Sequence, residues 1–110
     1  MAKGDVSFES HLGEFLDALP EQIEQALIAI GMTAETYAKE LCPVDTGRLR
    51  NSITHEVDMN EQAAIIGSNV EYAAYVELGT SRQHAQPYLR PACENHSAEY
   101  KSLVESALKS

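Results

Sequence analysis

From Ile23 onward the apolar residues Leu27, Ile30, Ala34, Tyr37 and Leu41 follow one another in alternating steps of four and three. Such a series lies on one side of a helix, here for about five turns, and leaves Glu24, Glu35, Lys39 and Glu40 for solvent. Both ends are punctuated. Pro20 suits a first helical position, where no N–H is needed, and Glu21 and Glu24 suit the positive end of the helix dipole. Pro43 disfavours helical geometry at Cys42 and stops the run. A chain with one long amphipathic helix must supply a second layer to cover its apolar side. Gly31, in the middle, costs up to ~1 kcal/mol relative to Ala, which predicts a close crossing by another element at that point.

Beyond Pro43 the period changes. After an Asp45-Thr46-Gly47 turn, Ile53, His55 and Val57 alternate with Thr54, Glu56 and Asp58, which is the period of a strand. Met59-Asn60-Glu61 reads as a turn and Ala63 to Gly67 as a second strand, so an antiparallel hairpin is expected, closed by Gly67-Ser68-Asn69. Tyr72, Tyr75 and Val76 share a helical face, which favours a short helical element ending at Gly79. Thr80 to Gln86 is a polar loop. Steps of four and three resume through Leu89, Cys93, His96, Tyr100, Leu103 and Ala107, predicting one final helix from Pro87 with Lys109 near its favourable end. Ahead of Pro20, Phe8, Leu12, Phe15 and Leu19 carry the same spacing and predict a short helix within Val6 to Leu19, starting near Ser10. The expected fold class is α+β: long N-terminal and C-terminal helices packed on a small antiparallel β-sheet containing a central hairpin. At 110 residues the chain is expected to form one domain, residues 1–110.

Charge narrows the partners. The net charge of −9 is unevenly placed: eight acids against two bases in residues 1–41, six against two in 42–80, and three against four in 81–110. Phosphate backbones are held by clustered Lys and Arg, so tight nucleic-acid binding is not expected. An acidic wall can still serve beside DNA, because it lets a duplex slide without sticking. The longest uncharged apolar run, Ala26 to Ala34, falls far short of the roughly 20 residues that span a bilayer, and the acidic start of the chain lacks an export pattern. A soluble protein made in the cytoplasm is expected, with Cys42 and Cys93 as reduced packing residues.

The sharpest enzymatic feature is Asp45-Thr46-Gly47, the triplet that carries the catalytic carboxylate of aspartic proteases. Two such chains could place two aspartates at a dimer axis for general acid–base hydrolysis. The flanks argue against it: a helix and Pro43 precede the triplet and Arg48 follows, where that fold needs an apolar strand and a small residue. A structural turn is the stronger reading, with Pro43 ending the helix, Asp45 and Thr46 capping through side-chain-to-backbone bonds and Gly47 supplying a permissive backbone. Cys93-x-x-His96 has ligand-like spacing for zinc, but no second close pair completes it, and both residues fall on the apolar side of the last predicted helix. No catalytic residue, metal site or cofactor is expected, and Ser52 and Ser68 read as ordinary strand and turn residues.

Arg48 and Arg50 are the one basic pair in an acidic stretch. They either pair with surface carboxylates, which adds little stability, or meet a neighbouring subunit, where Arg is favoured for its bidentate grip on carboxylates. Tyr72, Tyr75 and Tyr88 divide in the same way between core and contact surface.

Three segments then read together: Cys42-Pro-Val-Asp-Thr-Gly-Arg-Leu-Arg-Asn-Ser-Ile53, Val70-Glu-Tyr-Ala-Ala-Tyr-Val-Glu-Leu-Gly-Thr80 and Gln86-Pro-Tyr-Leu-Arg-Pro-Ala92. In this order, after a long helix and before a C-terminal one, they resemble the phage tail-component family typified by the HK-ninety-seven gene product ten. The likeness covers about residues 20–110, with Tyr88 where that family usually has Phe. It implies a virion structural protein of a tailed bacteriophage, made in the host cytoplasm and placed at the neck as a head–tail joining or tail-completion subunit. It further implies a homo-oligomeric ring, of which a hexamer is one form, around a channel through which DNA passes without specific binding. Its other partners would be neck, connector or tail proteins, with no membrane involved. Arg48, Arg50, Tyr75, Glu77, Arg82 and Arg90 are the motif residues that the resemblance offers as subunit contacts. The competing reading is a small homodimeric aspartic-type hydrolase that uses Asp45.

Overall fold

The computed structural model describes residues 6–10, 19–43, 47–82 and 84–108. The elements are β1 (Val6–Ser10), α1 (Pro20–Leu41), α2 (Arg48–Ser52), β2 (Thr54–Asp58), β3 (Ala63–Ser68), α3 (Ala73–Leu78), α4 (Leu89–Glu94) and α5 (Ser97–Leu108). The fold is α+β, as the two periods in the sequence require. α1 starts at Pro20, and the Gln22 side chain returns to accept the Leu19 N–H at 3.1 Å, the half of a capping box that needs no acceptor on residue 19. It ends where Pro43 requires: Cys42 is extended, at φ −70° and ψ 134°, while its N–H still donates to the Ala38 carbonyl at 2.9 Å. The buried stripe follows Ile23, Leu27, Ile30, Ala34, Ala38 and Cys42. Toward the C-terminal end it thus keeps to the i+4 ridge, and Leu41 is exposed instead of buried.

The sheet has three antiparallel strands in the order β1-β3-β2, with Phe8 and His55 opposite Ile66 on either side. The hairpin β2–β3 is the predicted one. Its turn is held by Asp58 Oδ1, which accepts the N–H groups of Asn60 at 2.9 Å and Glu61 at 3.1 Å, and Gln62 takes a left-handed φ of 51°. The helix expected from near Ser10 is corrected at its start: Val6–Ser10 is a strand on the far side of β3. Over five residues Val6 and Phe8 also alternate with Ser7 and Glu9, and pairing with a distant strand decides between the two periods. Residues 11–18, the rest of that prediction, lie outside the described residues.

α1 packs across β2 and β3 on one side of its length and against α4 and α5 elsewhere. Gly31 makes the sheet crossing possible. A Cβ there would lie 2.8 Å from His55 Cδ2, 3.1 Å from Cγ and 3.2 Å from its Cβ. His55 is held over the helix by Glu35, whose Oε1 sits 2.8 Å from His55 Nδ1 while its Oε2 meets Lys39 Nζ at 3.2 Å. Glu35 and Lys39, expected in solvent, are therefore half-buried in the α1–β2 joint. Burial pushes the Glu35 carboxyl up, and the hydrogen bonds and charges of His55 and Lys39 outweigh it, leaving Glu35 below its ordinary 4.5.

The final helix is two helices. Its apolar spacing runs unbroken from Leu89 to Ala107, yet the chain turns at Asn95 and His96, so α4 reaches α1 and β1 while α5 runs along α1. His96 stacks flat on Tyr37 of α1, with ring centroids 3.6 Å apart and planes 2° from parallel, and Tyr37 donates its hydroxyl proton to Glu99. Tyr88 and Tyr100 are fully buried, and their hydroxyls donate to the carbonyls of Ala73 and Ala92. Burial first, then nearby ionisable groups, raises both phenols well above 10.0. The molecule is elongated, 49 × 26 × 22 Å.

Candidate functional site

The diagnostic segment after Pro43 forms a joint between α1 and the sheet. Val44, Asp45 and Thr46 lie outside the described residues, so the capping expected of Asp45 and Thr46 lies there too. Gly47 is the N-cap of α2 in a left-handed conformation, φ 71°, where a side chain would be strained. α2 separates the turn from the strand that is expected to follow it directly. It buries Leu49 and turns Arg48 and Arg50 outward. Ser52 ends it, donating to the Leu49 carbonyl at 2.6 Å. The Ser68 hydroxyl is left to donate to Ser52 Oγ and to accept the Val70 N–H at 3.1 Å, which ties α2 to the end of β3.

Arg48 makes a bidentate pair with Glu71, both bonds 3.0 Å, and lies over the Tyr72 ring, 5.7 Å from its centroid. Of the two readings given for this arginine, its primary partner within the chain is a carboxylate. Arg50 is exposed and pairs with no carboxylate among the described residues, though its charge reaches the buried Cys42 thiol, which burial pushes up and Arg50 partly offsets. Cys42 and Cys93 are free thiols. Among the described residues no three His, Cys, Asp or Glu side chains gather as a metal site would need, and His96 is engaged with Tyr37.

Glu77 lies inside the molecule. Offered as a contact residue, it is 3% exposed. Its Oε1 accepts the N–H groups of Tyr88 at 2.9 Å and Leu89 at 2.8 Å, and its Oε2 that of Arg90 at 3.2 Å. The start of α4 has no cap of its own, so Glu77 supplies one from α3 and offsets the desolvation of its own charge. The signal was present as an acid inside the otherwise apolar Tyr72–Leu78 run. Between the two anchor points, Gln86 N–H donates to the Val76 carbonyl at 2.8 Å, and Gly79, at φ 77°, turns the chain out of α3. Between them Thr80, Ser81, Arg82, His84 and Ala85 are exposed, and the Arg82 N–H bonds Thr80 Oγ1 at 3.2 Å.

A model of the family described as "Bacteriophage HK97-gp10, putative tail-component" matches residues 7–79. The chain belongs to this family. The match runs from β1 through α3 and so takes in the Cys42–Ile53 segment and nearly all of the second, while Gln86–Ala92 lies beyond it. No curated protein and no solved structure matches the chain. Nothing in the match or in the described residues supports the hydrolase reading.

On this phage tail component the outward side chains at the α3 end are of two kinds. Tyr75 and Leu78 are 60% and 65% exposed, although both are large and apolar. Arg48, Arg50, Arg82 and Arg90 are also exposed, Arg48 over the Tyr72 ring at the start of α3 and Arg90 4.0 Å from Glu94. Tyr88 is core and Tyr72 half-buried, so of the three tyrosines Tyr75 alone faces fully outward.

Proposed function

We propose that this phage tail component is a head–tail joining or tail-completion subunit of the neck, and that its copies form a ring around the DNA channel. The observation that carries the reading is the surface of α2, α3 and the following loop. On a chain of net charge −9, Arg48 holds Glu71 and covers the Tyr72 ring at the start of α3, Tyr75 and Leu78 on α3 are exposed, Arg82 is exposed in the loop after it, and Arg50 is exposed on α2. Arginine and aromatic side chains are enriched where subunits meet, and a strongly acidic protein that associates with itself needs its few cations at the contact. Arg90 belongs to the same candidate set, and Glu77 acts behind it by fixing the loop. The acidic remainder suits a channel wall that repels phosphates. The neck of the virion is the location that follows, after synthesis in the host cytoplasm, with connector and tail proteins as neighbours.

Size exclusion with light scattering, followed by negative-stain imaging, tests this. A closed ring, six copies being the size to look for first, is the expected result. A chain that stays monomeric and joins neither tails nor connectors overturns it. Arg50→Glu is the informative variant, since Arg48 already has Glu71. It is expected to lower assembly while leaving the circular dichroism spectrum of the monomer unchanged.

A further inference from the structure

A second surface feature lies at the other end of the molecule. Near its N-terminal end α1 leaves a groove of about 420 Å³ against α5, floored by Ala29, Leu103 and Ala107 and bordered by Gln25 and Glu21. The end is fixed by Gln22, whose amide nitrogen donates to the Leu108 carbonyl at 3.3 Å. The opposite end of α1 reaches Cys42, near Tyr88, and Tyr88 bonds Ala73 at the start of α3 at 3.1 Å. Ala29 and Cys42 are thirteen residues apart, which is about 20 Å along a helix axis. The apolar pair on α3 therefore cannot reach the groove of its own chain.

The two features complement each other. Tyr75 and Leu78 project from a helix only six residues long, and the groove is apolar and large enough to take both. Four residues beyond Leu78 stands Arg82, while the groove is bordered by Glu21, with the exposed Glu24 one turn further along. We infer that α3 and residues 79–82 after it dock into the α1–α5 groove of a second copy of this chain, with Tyr75 and Leu78 on the groove floor and Arg82 facing Glu21. A knob at one end and its socket at the other make a contact between unlike patches, which repeats head to tail and closes when the rotation allows. This deepens the ring reading and rests on it.

The test uses one variant on each side. Leu78→Asp removes the knob and keeps the groove; Ala29→Arg fills the groove and keeps the knob. Each alone is expected to weaken association by about 30-fold or more, a loss of the size found at interface hot spots. Mixed in equal amounts, the two are expected to give a one-to-one dimer and no ring, because a single intact junction remains. Ser106→Arg, at an exposed position on the groove, and Arg82→Glu give the same losses without touching the core, and Glu21→Arg restores association to Arg82→Glu. Rings formed by Leu78→Asp and Ala29→Arg as readily as by the unmodified chain overturn the docking and leave the ring reading standing. A mixture with no dimer also overturns it. An unmodified chain that is monomeric at every concentration removes both.

Discussion

Glu77 offers the most direct measurement of how α3 and α4 are joined. Replacing it with Ala removes three hydrogen bonds from one carboxylate and leaves the N–H groups of Tyr88, Leu89 and Arg90 without their acceptor in a buried place. Charge-assisted bonds contribute about 1.5–3 kcal/mol each, but bonds to a shared carboxylate are not additive, and removing the charge also removes its own desolvation. A loss of about 3–5 kcal/mol follows, a large part of the roughly 5–15 kcal/mol that stabilises a chain of this size. Glu77→Gln separates charge from shape. Its one carbonyl oxygen can keep the Tyr88 and Leu89 donors, while its NH2 meets the Arg90 N–H donor to donor, so about 2 kcal/mol is expected. Urea unfolding gives both values, and amide exchange at Leu89 reports the site itself. If both variants stay within about 0.5 kcal/mol of the unmodified chain, the carboxylate does not hold the α4 start and the account is wrong.

Gly31→Ala is expected to destabilise by about 1–3 kcal/mol despite the gain in helix propensity, because the added Cβ meets His55 down to its own Cβ, which cannot swing aside; thermal unfolding checks it. Glu35 titrates below its ordinary 4.5 in the folded chain, so its contribution is present above that pH and lost as pH falls through the folded value. Glu35→Gln should therefore flatten the acid limb of a stability-versus-pH curve. The Tyr88 phenol is raised above 10.0, so stability from keeping it neutral is complete below that pH and is lost as pH rises. In an absorbance titration Tyr88 should ionise only with alkaline unfolding.

What the sequence made legible was local. Pro20, Pro43 and a repeated apolar step set α1, and alternation around an Asx turn set the hairpin, because each signal sits within a few residues of its effect. The contributions that escaped were made by partners far along the chain. Val6–Ser10 becomes a strand by pairing with residues 64–68, and no short window contains both. The break between α4 and α5 leaves the apolar spacing intact, so periodicity passes over it. α2, five residues long, rests on a left-handed Gly47 and on the Ser52–Ser68 tie. Of the site, the arginines and Tyr75 were visible as residue types, but Glu77 was misplaced because its donors lie eleven to thirteen positions downstream. Leu78 gave no signal, since an exposed leucine is apparent only from its surroundings.

The clamp at Glu77 divides labour along the chain. The segment after Gly79 is secured at its base, through Glu77 and the Gln86–Val76 bond, while Thr80, Ser81 and Arg82 are exposed. Substitutions at Arg82 or its exposed neighbours can then alter recognition without a folding penalty. A scaffold built this way can acquire new assembly partners by drift at the tip while the body that presents it stays fixed.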